Sequence, residues 1–208
     1  MKRSMIGRSG ALTVAAALTL GGLAMLPLGA QAMGRDTVQS FYSTLLSTMQ
    51  SGRSLGGRGR YARLEPVVRQ VFDIPFMTRL AVGPEWASLN ETQRQQVTQA
   101  FESYVAAIYA ERFDSYSGES LQVTGEQASP GGTIITSQIV KSNGEPVNIN
   151  YLVRQNGGTW QIADVYLDGT ISELATRRSE FASILRTQGI NGLIAMLNNK
   201  AAVLAARL

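Results

Sequence analysis

The chain has 208 residues, 44% of them hydrophobic, with 19 basic against 15 acidic residues and neither cysteine nor histidine. That composition excludes disulfides, a Ser-His-Asp triad, a Cys-His pair and any zinc held by His or Cys, which removes much of the usual catalytic toolkit but leaves carboxylate chemistry and oxygen-ligated metals possible. The length is enough for one domain with a substantial hydrophobic core.

Lys2, Arg3 and Arg8 precede a charge-free stretch from Ser9 to Gln31, with an apolar core from Ala11 to Leu28 and a small-residue exit at Ala30-Gln31-Ala32. A positive start, an apolar middle and an A-x-A exit predict a secretory signal over residues 1–32, cleaved after Ala32. The apolar run approaches the roughly 20 residues that span a bilayer, so an uncleaved anchor is the rival reading. Gly21, Gly22, Pro27 and Gly29 interrupt the run and favour cleavage. No cysteine stands at the exit to take a lipid, and no paired arginines point to the twin-arginine route. The expectation is a periplasmic protein whose residues 33–208 form a single domain. Without the leader, 16 basic residues face 15 acidic ones, a net charge of +1. The basic character of the whole chain is therefore no argument for nucleic-acid binding.

From Asp36 to Met49 the apolar residues Val38, Phe41, Leu45, Leu46 and Met49 recur at helical spacing. Ser51 to Arg60 is rich in glycine and arginine but lacks the Walker spacing, and reads as a mobile surface connection. Its sharper alternative is a basic flap touching anionic headgroups or a partner. Helical patterning returns over residues 61–72 and 74–82, interrupted at Asp73 and Pro75. Asn90 with Gln93 has the form of a capping box. The helix it opens carries Val97, Phe101, Tyr104, Val105 and Ile108 on one face, Gln95, Gln96, Gln99 and Glu102 on the other, and ends near Phe113.

From Glu119 the period changes to two. Leu121 and Val123 alternate with polar neighbours, and Thr133 to Lys141 is β-branched. Asn143-Gly144 signals a hairpin turn. Val147, Ile149, Tyr151 and Val153 then alternate with their neighbours, and Asn156-Gly157-Gly158 turns the chain into Thr159 to Leu167. There Trp160, Ile162, Asp164, Tyr166 and Asp168 are expected on one side, and Ala163, Val165 and Leu167 on the other. Thr170 and Glu173 suggest a second capping box, opening a helix that carries Ile171, Leu174, Phe181, Ile184 and Leu185; Gly189 breaks it before a last apolar helix. The expected fold is α+β: an antiparallel meander of four strands or slightly more, packed against several helices, with an apolar cavity between the layers.

The residues Phe72-Asp73-Ile74-Pro75-Phe76-Met77, Leu80-Ala81-Val82-Gly83, Trp86 and Thr92-Gln93-Arg94, with Phe101 and Tyr109, form one set. A second comprises Tyr151, Trp160-Gln161-Ile162-Ala163-Asp164-Val165, Gly169, Ser172, Arg178 and Phe181. In order and spacing they resemble the MlaC/toluene-tolerance family of periplasmic phospholipid-binding proteins over residues 36 to 200. Thr170-Ile171-Ser172 is one residue longer than the wider family's valine-serine after the glycine, and looks closer to the hopanoid-associated HpnM branch. The resemblance implies a soluble carrier of phospholipid or a hopanoid-type lipid, moving it between inner- and outer-membrane complexes of an ABC transporter system, without cofactor, metal or catalysis.

Carrying a lipid asks for a dry slot with a polar rim. The expected lining is Phe76, Met77 and Leu80 from the front helices and Phe101, Val105, Ile108 and Tyr109 from the long helix. Tyr151, Val153, Val165 and Leu167 from the strands and Phe181 from the tail helix complete it. For any one of these, plain core packing is the competing reading. Arg178 falls on the helix face of Leu174 and Phe181, so its guanidinium needs a partner: Asp164 or Asp168 in a salt bridge, or a lipid phosphate at the pocket mouth. Asp164 and Asp168 could also be the carboxylates of a small hydrolase. About 13 Å along an extended strand separates them, against the roughly 5–5.5 Å of a retaining glycosidase. A third reading is a non-catalytic adaptor taking a partner peptide or helix in its groove.

Overall fold

The protein is described here by a computed structural model over residues 28–207, with side chains described from Gly34 onward. Most of the expected signal, residues 1–27, lies outside the described residues; residues 28–32 begin the first helix. Among the described residues no helix is long and apolar enough to cross a membrane.

Among the described residues five α-helices and five strands follow in the order α1 (Leu28–Gln50), α2 (Gly52–Val71), α3 (Ile74–Val82), α4 (Glu91–Arg112), β1 (Ser120–Ser129), β2 (Gly132–Val140), β3 (Pro146–Asn156), β4 (Thr159–Leu167), β5 (Ile171–Ser172) and α5 (Glu173–Ala205), with a short 3-10 turn (Gly83–Ser88) after α3. The sheet runs β1-β2-β3-β4-β5, every neighbour antiparallel. Helix α1 lies across it and touches β1 to β4, while α2, α4 and α5 build the outer layer. Val38, Phe41, Leu45 and Met49 are buried, as their spacing predicts, while Leu46 is only half-buried and Tyr42, which the pattern does not single out, is buried against Tyr151 of β3. The expected α+β meander is the observed fold. Its fifth strand is the two-residue β5, where a helix start was anticipated.

Three local readings need correction. The glycine/arginine stretch is helical, bent at Gly56 (φ 61°), a backbone conformation open to glycine at little cost. Gly52 and Gly57 are needed for a different reason: a methyl group on either would collide with the carbonyl oxygen of Asp114 or Arg207. Arg60, 2% exposed, binds this corner together. Its Nε donates to the Ala110 carbonyl at 2.8 Å, Nη1 to Gly52 at 3.1 Å and Nη2 to Arg207 at 3.4 Å. Ala110 and Arg207 lie at the C-terminal ends of α4 and α5, where unpaired carbonyls and the helix dipole favour a cation.

The second correction concerns β4. Val153 pairs with Ile162 and Leu152 with Asp164, so Ala163 is an extra residue in the strand. This bulge breaks strict alternation and brings Ile162, opposite Val153, to the same inner face as Val165, opposite Tyr151. Third, the cap of α5 is Ser172, whose Oγ accepts from the Ala175 amide at 2.9 Å, rather than Thr170. The Asn90–Gln93 box is formed as expected, through bonds of 2.9 and 3.1 Å.

Candidate functional site

Between α4 and the inner face of the sheet lies a cavity of about 510 Å³, within the roughly 300–1,000 Å³ of small-molecule sites. Helix α4 contributes Phe101, Tyr104, Val105, Ile108 and Tyr109, spaced to face one way. The sheet contributes Ile139, Val147, Ile149, Tyr151, Val165 and Leu167. Cross-strand register explains the second wall: Ile139 opposes Val147, Ile149 opposes Leu167, and Tyr151 opposes Val165, so all six share a face. Phe72 and Met77 close the side towards α3, and Leu174 comes from the first turn of α5.

Charge is confined to the elements at one end, which forms the mouth. Arg112 at the end of α4, Asp114 and Ser115 in the following loop, Glu119 before β1, Lys141 after β2, and Glu173 and Arg177 at the start of α5 line it. Arg177 is clamped by Glu173 at 2.8 Å and Glu180 at 2.7 Å, and its guanidinium lies 5.8 Å from the Tyr104 ring centroid. The Lys200 ammonium is 5.9 Å from the same ring. Such cation–π contacts contribute about 0.5–1 kcal/mol each at exposed positions.

The sheet wall carries a buried polar relay. The Ser137 hydroxyl donates to the Ile149 carbonyl, so Tyr42 donates to Ser137 Oγ, at 2.6 Å. Burial pushes the Tyr42 phenol up, opposed by its hydrogen bonds to Ser137 and Tyr151. Burial likewise raises Tyr109, and raises Tyr151 well above the ordinary phenol value, with the neighbouring phenols Tyr109 and Tyr42 adding to the latter. These groups remain neutral at physiological pH and supply hydrogen bonds, not charge.

Of the expected lining, Met77, Phe101, Val105, Ile108, Tyr109, Tyr151, Val165 and Leu167 surround the cavity. Phe76, Leu80, Val153 and Phe181 do not. Phe76 lies beneath the Arg154 guanidinium, 4.1 Å from its ring centroid, and Leu80, one turn on, is 39% exposed. Their side of α3 faces away, because Ile74, Met77 and Ala81 take the buried side. Val153 is fully buried against Gly34, and Phe181 packs edge-on against Phe101 at 6.2 Å. Residues the sequence reading missed include Ile139, Val147, Ile149 and Arg177. The first three were legible, since Val147 and Ile149 share the alternation of Tyr151.

Arg178 is exposed and lies over Gly83, away from the cavity. Its long stem lets the charge reach water from a face that packs inward at Leu174 and Phe181. The residue before it, Arg177, stands at the mouth. Asp164 is not its partner: that carboxylate accepts from Ser172 Oγ at 2.6 Å, the Val165 amide at 2.7 Å and the Leu174 amide at 3.2 Å, fastening the start of α5 to β4. Burial raises the Asp164 pKa, opposed by those three hydrogen bonds. Asp168 is exposed in a turn with φ 49°. Neither carboxylate lines the cavity. Among the described residues no group of three or more His, Cys, Asp or Glu side chains is placed to hold a metal.

Comparison with solved structures finds a similar fold in a phospholipid-binding protein from Ralstonia solanacearum, determined in complex with a phospholipid. The TM-score is 0.68 and the identity 25%, over 85% of this chain and 98% of the other. The family described as MlaC protein matches residues 39–199, which takes in α2 to α4, the whole sheet and most of α1 and α5. This chain belongs to the MlaC family.

Proposed function

We propose that the protein is a periplasmic lipid carrier, not an enzyme: it shelters the acyl part of a phospholipid in the cavity between α4 and the sheet and leaves the headgroup at the charged mouth. The observation that carries this reading is the cavity itself, apolar along both walls and charged at one end. Each methylene moved out of water is worth about 0.8 kcal/mol, so a tail of about 16 carbons gains roughly 12 kcal/mol in such a slot. No bond need be made or broken. The Ralstonia solanacearum structure, with its bound phospholipid, supports phospholipid as the ligand class.

The leader over residues 1–32 delivers the protein to the periplasm in this reading, with cleavage after Ala32. There it exchanges lipid with inner- and outer-membrane complexes of an ABC transport system. A hopanoid-type lipid is the second reading, supported by the Thr170-Ile171-Ser172 variant of the HpnM branch.

The test is native mass spectrometry of protein purified from cells, followed by lipid extraction and identification. Lipid is expected at up to one molecule per chain, and the extract distinguishes a phospholipid from a polycyclic lipid. Ile108→Trp with Val165→Trp fills the slot from both walls and should abolish carriage while circular dichroism remains that of the parent. A parent protein that is empty on purification and takes up nothing from vesicles refutes the proposal.

A further inference from the structure

Three phenols meet on one side of the apolar interior. Tyr42 comes from α1, Tyr109 from α4 and Tyr151 from β3. Tyr42 is 3% exposed and Tyr151 1%. Tyr109 is ringed by Phe41, Phe72 and Phe113, at 5.0, 5.6 and 5.8 Å between ring centroids, yet it is only half-buried. A side chain enclosed in this way keeps its open surface towards the cavity, which Tyr109 and Tyr151 line together.

A carbonyl oxygen only accepts, and that fixes the direction of the hydrogen bonds between these groups. Ser137 uses its proton on the Ile149 carbonyl, and Tyr42 uses its own on Ser137 Oγ, at 2.6 Å. Between Tyr42 and Tyr151 the donor is therefore Tyr151. Between Tyr151 and Tyr109 it is Tyr109. Every proton of the relay is directed towards the sheet, and the last oxygen, on Tyr109, is left as an acceptor beside the cavity. A plain hydrocarbon tail passing this oxygen leaves its lone pairs without a donor, whereas a hydroxyl at that depth supplies one. The depth matters. Tyr151 stands four residues along β3 from Val147, near the charged end, or about 13 Å in an extended strand. A headgroup held at the mouth does not reach so far; a group carried on the tail does.

We infer that Tyr109, backed by Tyr151, is a specificity-determining residue for a lipid that bears a hydroxyl on its acyl chain: the hydroxyl donates to the Tyr109 oxygen inside the cavity while the headgroup stays at the mouth. This rests on the lipid-carrier reading and adds to it the chemistry of the tail.

The full chain, stripped of lipid, is titrated with oleic acid and, separately, with ricinoleic acid, which differs from it by one hydroxyl past the middle of the chain. Occupancy is read by native mass spectrometry. The parent is expected to bind ricinoleic acid about threefold to tenfold more tightly, the range of one net hydrogen bond. The ketone analogue, which accepts but does not donate, should bind no better than oleic acid. Tyr109→Phe keeps the ring and its aromatic neighbours and should reverse the preference, because the ligand hydroxyl is then buried without a partner. Oleic acid should stay within about twofold of the parent in that variant. A parent that binds oleic acid or the ketone as tightly as ricinoleic acid overturns the inference while the carrier reading stands. So does a Tyr109→Phe variant that keeps the parent's preference or loses both acids equally. A parent that takes neither acid also overturns the inference, and with it the carrier reading if phosphatidylglycerol from vesicles is refused as well.

Discussion

Replacing Arg60 by methionine keeps the length of the side chain and removes every donor from the corner where α2, α4 and α5 meet. Two of its three hydrogen bonds are fully buried, from Nε to the Ala110 carbonyl and from Nη1 to Gly52. The third, to Arg207 at 3.4 Å, is only partly buried and is left out of the sum. A hydrogen bond involving a charged group is worth about 1.5–3 kcal/mol, so the loss is about 3–6 kcal/mol. For a domain of this size each kcal/mol moves the melting temperature by about 2–4 °C, giving a fall of roughly 6–24 °C. Arg60→Lys keeps the charge at the helix ends but cannot fork to several carbonyls, and should recover about half of that loss. Differential scanning calorimetry of the three proteins at neutral pH measures this directly. An Arg60→Met protein melting within about 3 °C of the parent would refute the account of this corner.

The buried phenols predict alkaline lability. In the unfolded chain tyrosine ionises near 10, whereas burial holds Tyr42 and Tyr151 neutral to higher pH. The folded pKa is raised, so this contribution to stability is complete below about pH 10 and is lost above it, at about 1.4 kcal/mol per pH unit for each phenol. Melting temperature followed with phenolate absorbance should show these phenols ionising only as the protein unfolds; ionisation near pH 10 with the fold intact would contradict it. Asp164→Ala strips the acceptor from the Leu174 amide and from Ser172, and should cost about 1–3 kcal/mol in urea denaturation. A variant as stable as the parent would mean that water satisfies those groups.

Much of the architecture is legible in the sequence, and the reason is periodicity. The apolar stripe of α4, the box at Asn90 and Gln93, and the turn at Asn143-Gly144 are properties of neighbouring residues, decided by local geometry. So is one wall of the cavity: Phe101, Val105, Ile108 and Tyr109 point together wherever that helix is placed. The other wall needed cross-strand register, which pattern alone leaves open. Ala163 shows why, since one extra residue in β4 reverses the alternation that the sequence implied and puts Ile162 and Val165 on a single face.

What local pattern could not reach is whatever depends on partners distant in the chain. Glycines and arginines from Ser51 to Arg60 look like loop composition, because no neighbouring residue explains them. The explanation lies about 50 positions away at Ala110 and 147 away at Arg207, whose carbonyls require a close-approaching backbone and a guanidinium. Arg177 and Arg178 are adjacent cations that the sequence cannot rank. Only the packing of α5 decided that one lines the mouth and the other lies over Gly83. Composition and period thus determined an α+β layer structure with an apolar interior. The hollow exists because α4 is held off the sheet by the elements around it, and that separation is a property of the assembled layers.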